Sequence, residues 1–146
     1  MGDLVKVFKR GLGLAAAAAA VTLMAGGTAS ADTVFKDSGA TYSQCTNYVF
    51  MWNAGDKMYA YGQMNCPNRA AIIARPTIAL SGNNGVTFQS SGKACHLAKT
   101  CRTPTVTVKA TKGWTYRASN AGTASTGAGA GEFWPTSTIA HVAVTL

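Results

Sequence analysis

The chain has 146 residues, with 13 Lys and Arg against 5 Asp and Glu, and its formal net charge is +8. Because 47% of the residues are hydrophobic and only 12% are charged, the composition excludes a disordered, highly charged chain. The length corresponds to one domain. The excess of cations favours association with anionic partners.

The first 31 residues have the layout of a secretory signal peptide. Lys6, Lys9 and Arg10 give a positive start, and residues 12–25 form an uncharged, mostly apolar run. The small residues Ala-Ser-Ala at 29–31 suit a cleavage site. The apolar run is shorter than the roughly 20 residues that a membrane-spanning helix needs. The sequence therefore predicts a secreted, extracellular protein that does not span the membrane.

Residues 32–44 are predicted to form an extended N-terminal arm, and residues 45–146 a single β-sandwich domain. The arm is mostly polar and carries one apolar pair, Val34 and Phe35. Because this pair is too little apolar surface to support folding, we expect the arm to be poorly ordered in the isolated protein. Such a segment can dock on a partner by adding a strand to a sheet edge.

The chain after the arm has the pattern of short strands separated by turns. The clearest pair is a hairpin with a turn at residues 54–57, and Pro76 predicts an edge position or a bulge in the following strand. The seven predicted strands are residues 48–52, 58–61, 71–80, 86–89, 105–109, 114–118 and 139–146. This spacing predicts an all-β antiparallel sandwich of immunoglobulin- or fibronectin-like architecture, and a small barrel is the alternative.

Four cysteines follow the predicted cleavage site, and an even number in an exported chain indicates two disulfides. Three pairings are possible. We favour Cys45–Cys66 and Cys95–Cys101, because each joins segments that a hairpin or a tight loop brings together. A zinc site using His96 is disfavoured, because the spacing between Cys95 and Cys101 is not that of a zinc knuckle.

Five aromatic residues crowd the predicted hairpin. Tyr48, Phe50 and Trp52 alternate along one strand and share a face, and Tyr59 and Tyr61 share another. If exposed, they would offer a platform for sugars or for a protein partner. If packed across the strands, they would stabilise the sheet, and we favour this second interpretation because Tyr and Trp tolerate partial burial.

The sequence predicts a protein that is not an enzyme and that needs no cofactor or metal. Its titratable carboxylates and imidazoles after the cleavage site are Asp32, Asp37, Asp56, Glu132, His96 and His141. No two carboxylates are placed as a general acid and base. The sequence also has no nucleophile-elbow motif and no zinc-protease helix motif.

The leading hypothesis is a non-catalytic binding or adaptor module for a protein partner. After residue 31, 10 basic and 4 acidic residues remain, a net charge of +6, because the first 31 residues hold three cations and one carboxylate. These cations are scattered, so nucleic acid is not predicted as a partner. The candidate partner-binding residues are Val34, Phe35, His96, Lys99 and Arg102.

Two alternatives remain open. A disulfide-closed loop that carries Lys99 could act as a rigid substrate mimic in a protease inhibitor. The net positive charge would also suit a cationic antimicrobial protein or one that binds an anionic cell-wall polymer. Binding of that second kind should weaken as the salt concentration rises, because exposed charges are screened.

Several stretches of the chain resemble small exported proteins of actinobacteria. They are the alanine-rich signal peptide, the run Cys-His-Leu-Ala-Lys-Thr-Cys at 95–101 with Thr-Val-Thr-Val at 105–108, and Trp-Thr-Tyr-Arg-Ala-Ser at 114–119. The resemblance implies a disulfide-linked β-sandwich. One placement within this group is the adaptor subunit that joins lectin subunits to a toxin stalk in secreted antibacterial complexes.

Overall fold

The computed structural model describes residues 33–68, 71–127 and 133–146. The predicted signal peptide lies outside these residues, as do Asp32 and Glu132. The described residues form twelve strands and one short 3-10 helix, Thr136–Thr138. The strands are β1 Val34–Ser38, β2 Thr46–Ala54, β3 Lys57–Asn65, β4 Ala71–Arg75, β5 Thr77–Gly82, β6 Thr87–Gly92, β7 Cys95–Ala98, β8 Thr100–Arg102, β9 Val106–Lys109, β10 Thr115–Asn120, β11 Thr123–Ser125 and β12 Ala140–Thr145.

Two antiparallel sheets pack face to face and form the predicted sandwich. One has the strand order β1-β2-β3-β8, with β9 also paired to β3, and the other has the order β12-β10-β5-β6. A third sheet, β11-β4-β7, has three strands. Every pair of neighbouring strands within these sheets is antiparallel. The all-β antiparallel prediction is confirmed, and the immunoglobulin- or fibronectin-like assignment stays a prediction.

The main core lies between the two larger sheets. Alternation along β2 buries Val49 and Met51, and alternation along β3 buries Met58 and Ala60. The facing sheet contributes fully buried side chains, of which Tyr116 is the largest. The buried cluster is Val49, Met51, Met58, Ala60, Ile78, Leu80, Val106, Val108, Tyr116, Ala118 and Ala140. This packing explains why the opposite side of β2 and β3 faces outward.

Asn120, at the end of β10, connects the two sheets through its buried side chain. Its amide nitrogen donates to the carbonyl oxygens of Tyr48 and Gln63, at 2.9 and 3.1 Å. Its carbonyl oxygen accepts from the backbone N–H groups of Thr77 and Gly122, each at 3.0 Å. One side chain thus forms hydrogen bonds with four backbone groups: one each from β2, β3 and β5, and one from Gly122, which precedes β11.

Both predicted disulfides are confirmed. Cys45 and Cys66 flank the first register pair of β2 and β3, so their disulfide closes the base of the hairpin. Cys95 on β7 is bonded to Cys101 on β8, which joins the three-stranded sheet to the five-stranded sheet. All four cysteines contact one small apolar cluster with Met64, Ala71, Ala74, Ala124 and Trp134. The hairpin is also confirmed, with a two-residue connection at Gly55 and Asp56.

The predicted strand 71–80 is two strands in different sheets. β4 pairs with β7 and β11, whereas β5 pairs with β6 and β10, and Pro76 lies between β4 and β5. The seven-strand expectation was therefore too low. Short strands such as β8 and β11, with three residues each, carry too little alternation to be recognised in the sequence.

The prediction of a poorly ordered arm is wrong for Val34–Ser38. These residues form β1, which pairs with β2 along its full length, from Val34 opposite Trp52 to Ser38 opposite Tyr48. Alternation places Phe35 on the inner side, beside Met51, and Val34 on the outer side. Asp37 also accepts a hydrogen bond from the His141 N–H of β12, at 3.2 Å. The segment is thus an edge strand of the sandwich.

Candidate functional site

All five aromatic side chains of the β2–β3 hairpin lie on one outward surface. Phe50 is directly opposite Tyr61, and Trp52 is directly opposite Tyr59. The expectation that the two strands present different faces is therefore wrong. We call this surface the aromatic face: the outward side chains of β1, β2, β3, β8 and β9. It comprises Val34, Lys36, Ser38, Thr46, Tyr48, Phe50, Trp52, Ala54, Lys57, Tyr59, Tyr61, Gln63, Asn65, Thr100, Arg102, Thr107 and Lys109.

The aromatic rings stack across the strands, as the favoured sequence interpretation predicted. The centroids of Phe50 and Tyr61 lie 4.6 Å apart, with 15° between the ring planes. Those of Trp52 and Tyr59 lie 5.4 Å apart, with 10° between the planes. These distances are close to the 4.7–4.9 Å strand spacing of a sheet, so the stacking direction runs from strand to strand. The rings therefore stand upright, with their edges toward solvent, and all four residues are half-buried.

Two cations extend one of these stacks at both ends. The Lys36 Nζ atom lies 5.2 Å from the Phe50 centroid and 5.0 Å from that of Tyr48. The Arg102 guanidinium lies 3.5 Å from the Tyr61 centroid. Four side chains from four strands thus form a continuous row: Lys36 on β1, Phe50 on β2, Tyr61 on β3 and Arg102 on β8. Each cation contacts the electron-rich face of a ring.

The aromatic face is positively charged. Besides Lys36 and Arg102, it carries Lys57 and Lys109, which are opposite each other in the β3–β9 register. Within the described strands, no Asp or Glu lies on this face. Asp37 shares the inner side with Val49, whereas Asp56, in the β2–β3 turn, borders the face and lines a depression with Lys57 and Lys109.

A shallow depression of about 380 Å³ adjoins the Tyr48 end of the aromatic face. Tyr48, Asn65 and Thr100 line it from the face itself, and Lys99 and Pro67 line it from the rim. Lys99 is exposed, so it adds a fifth cation beside the surface.

The structure separates the five predicted partner-binding residues. Val34 and Arg102 lie on the aromatic face, and Lys99 borders it. Phe35 points to the inner side, and His96 lies on β7, exposed, in the three-stranded sheet. Sequence reasoning missed Lys36. Its position two residues from Val34 is the signal that would have placed it on the same strand face.

The disulfide-closed segment does not have the geometry of a substrate mimic at Lys99. In substrate-like inhibition, the carbonyl oxygen of the contact residue enters the oxyanion hole of the protease. The Lys99 carbonyl oxygen instead accepts a hydrogen bond from the Cys66 N–H at 2.7 Å. The backbone that a protease would have to grip is thus held within the fold. The geometry does not favour the inhibitor alternative.

Neither a metal site nor a membrane-spanning helix is present within the described residues. They contain no group of three or more His, Cys, Asp or Glu side chains that could hold a metal ion. No helix among them is long and apolar enough to cross a membrane. Of the carboxylates and imidazoles considered in the sequence, Asp37 and His141 lie together where β1 contacts β12. The Asp37 carboxylate accepts a hydrogen bond there from the backbone N–H of His141 and not from its ring.

Comparison of the chain with protein-family models, with curated proteins and with solved structures gives no match.

Proposed function

We propose that this protein is a secreted, non-catalytic binding or adaptor module that recruits a protein partner through the aromatic face. The observation that carries this proposal is the row of half-exposed aromatic rings on the outer side of the sheet. The solvated side of an antiparallel sheet is ordinarily polar. Here it carries three Tyr, one Phe and one Trp, and Tyr, Trp and Arg are the residues most enriched at protein interfaces.

The stacking prepares the surface for binding. Phe50 and Tyr61 hold each other in place, and Lys36 and Arg102 restrain both ring faces. Side chains that are already ordered lose little conformational entropy when a partner binds. The face is therefore suited to recognition of one partner surface.

Secretion is supported by the layout of the first 31 residues and by the two disulfides, which form in oxidising compartments. The resemblance to small exported actinobacterial proteins suits a role as adaptor in a secreted antibacterial toxin complex. In that role the aromatic face would contact the neighbouring subunit.

Affinity isolation from the culture fluid of the source organism tests the proposal. The wild type is compared with a Phe50→Thr, Tyr61→Thr double variant and with the control Phe88→Thr, which removes a 57% exposed ring from the opposite sheet. We expect one protein to be retained by the wild type and by the control but lost from the double variant, and to bind stoichiometrically once purified. Equal retention by all three proteins, or no retained protein, would contradict the proposal.

The second candidate is binding of an anionic cell-wall polymer, which the cations of the aromatic face favour. Such binding depends on charge alone, so it should persist in the Phe50→Thr, Tyr61→Thr variant. It should also weaken steeply with rising salt. Retention on purified cell walls measures both properties.

A further inference from the structure

We infer that the aromatic face recognises an acidic protein surface, one that presents carboxylates beside apolar groups. The inference rests on the proposed function and specifies the chemistry of the partner. It follows from the orientation of the rings and from the placement of the cations.

The faces of the Phe50 and Tyr61 rings are covered. Each ring stacks on the other on one side, and Lys36 or Arg102 covers the second side. The face of an aromatic ring carries partial negative charge and its edge carries partial positive charge. The stack therefore hides the negative surfaces and turns toward solvent the positive C–H edge of Phe50 and the hydroxyl of Tyr61, which can donate to a carboxylate.

The cations favour the same kind of partner as the exposed parts of the rings, namely one that presents negative charge. Lys36 and Arg102 terminate the stack, and Lys57 and Lys109 face each other across β3 and β9. No carboxylate of the described strands lies on this face, and Asp56, which lines a depression with Lys57 and Lys109 at its edge, can compensate only one of the four charges. A partner that presents carboxylates would supply the complementary charge.

At Phe50 and Tyr61 the same geometry disfavours the binding of saccharides. A neutral sugar packs its apolar side on the open face of an aromatic ring, and at Phe50 and Tyr61 those faces are occupied. An anionic polysaccharide would satisfy the cations but would leave the apolar C–H edge of Phe50, between Lys36 and Arg102, uncovered. A protein surface with Asp or Glu around apolar side chains matches both features.

The test uses a random copolymer of Glu and Tyr as an acidic polypeptide probe, with polygalacturonate and a neutral xylo-oligosaccharide as comparisons. Calorimetry gives Kd, and NMR shifts identify the residues contacted. We expect the copolymer to shift the resonances of Tyr59, Tyr61 and Arg102 and to bind more tightly than either saccharide. No binding of the copolymer, or saccharide binding of equal strength, would overturn the inference.

A pair of charge variants makes the test specific to the face. Lys36→Gln with Arg102→Gln should weaken copolymer binding about tenfold. The control, Lys93→Gln with Arg117→Gln, makes the same change in net charge at exposed residues away from this face and should leave Kd nearly unchanged. An equal loss in both would show that net charge alone attracts the probe, and the inference would fail. Should the Phe50→Thr, Tyr61→Thr variant lose the captured protein while the charge variant retains it, the proposed function would stand and this inference alone would fall.

Discussion

The Arg102 guanidinium lies 3.5 Å from the centre of the Tyr61 ring, although the two residues are 41 positions apart in the chain. Two neighbouring contacts hold Arg102 there. Cys101, the preceding residue, is buried and bonded to Cys95, and β8 pairs with the end of β3. The second disulfide thus anchors the strand that delivers a cation to the aromatic face.

Replacing Arg102 with Ala should lower the free energy of unfolding by about 0.5–1 kcal/mol, because an exposed cation–π contact is lost. Arg117→Ala is the control, since Arg117 is also exposed on a strand but is outside the aromatic face. Urea denaturation of both variants measures the difference. A loss no larger than that of the control would show that the contact contributes nothing to stability.

Asn120→Ala should destabilise the protein by about 3 kcal/mol or more. The substitution leaves four backbone groups without their partner, and each buried unsatisfied group costs about 1–3 kcal/mol. Asn53→Ala removes a half-buried side chain whose hydrogen bonds to Gly55 and Lys57 are exposed, and it should cost much less. Thermal and chemical unfolding measure the stability of both variants. Similar losses of unfolding free energy in the two would contradict this prediction.

Gly62→Ala should strongly destabilise the sandwich. A Cβ atom at this position would collide with the Thr77 carbonyl oxygen and lie 2.9 Å from the Asn120 side chain, so the two sheets would have to move apart. Overpacking of this kind costs about 1–3 kcal/mol. Gly92→Ala is the matched control, because its nearest neighbour would be 3.7 Å away, and it should be nearly neutral in melting temperature.

The two disulfides should differ in their contribution to stability. Cys45–Cys66 closes a separation of 21 residues and Cys95–Cys101 one of 6. On the chain-entropy estimate, paired Cys→Ala removal of the first should cost about 1 kcal/mol more than removal of the second. Denaturant unfolding of the two double variants, compared at one pH, gives this difference, and the reverse order would contradict the estimate.

Phe35→Ala and Val34→Ala test whether β1 is a structural strand. Phe35 is half-buried on the inner side beside Met51, so its truncation should cost about 1–3 kcal/mol. Val34 is 56% exposed on the aromatic face, and its truncation should change stability little. If both variants had the melting temperature of the wild type, β1 would contribute little to the stability of the isolated protein.

The sequence predicted those features that neighbouring residues determine. The β2–β3 hairpin follows from alternation on either side of a Gly-containing turn, and the Cys45–Cys66 disulfide follows from the position of both cysteines at its base. Cross-strand aromatic packing followed from the same hairpin. Each of these depends on side chains that a short turn brings together.

The sequence could not predict contacts between distant segments. It did not reveal that Pro76 separates strands of two different sheets, or that β1 pairs with β2 instead of forming an arm. Alternation shows which side of a strand is apolar but does not identify the neighbouring strand, because that choice depends on packing of the whole core.

The amino-acid sequence by itself thus determined the β class, the hairpin, the two disulfides and the placement of five aromatic residues on the hairpin. Tertiary structure alone decided that Lys36 and Arg102 terminate the Phe50–Tyr61 stack. The physical reason is that the core between the two sheets, including Val49, holds β2 and β3 with one side inward. The rings must then face outward, where β1 and β8 bring cations to both ends.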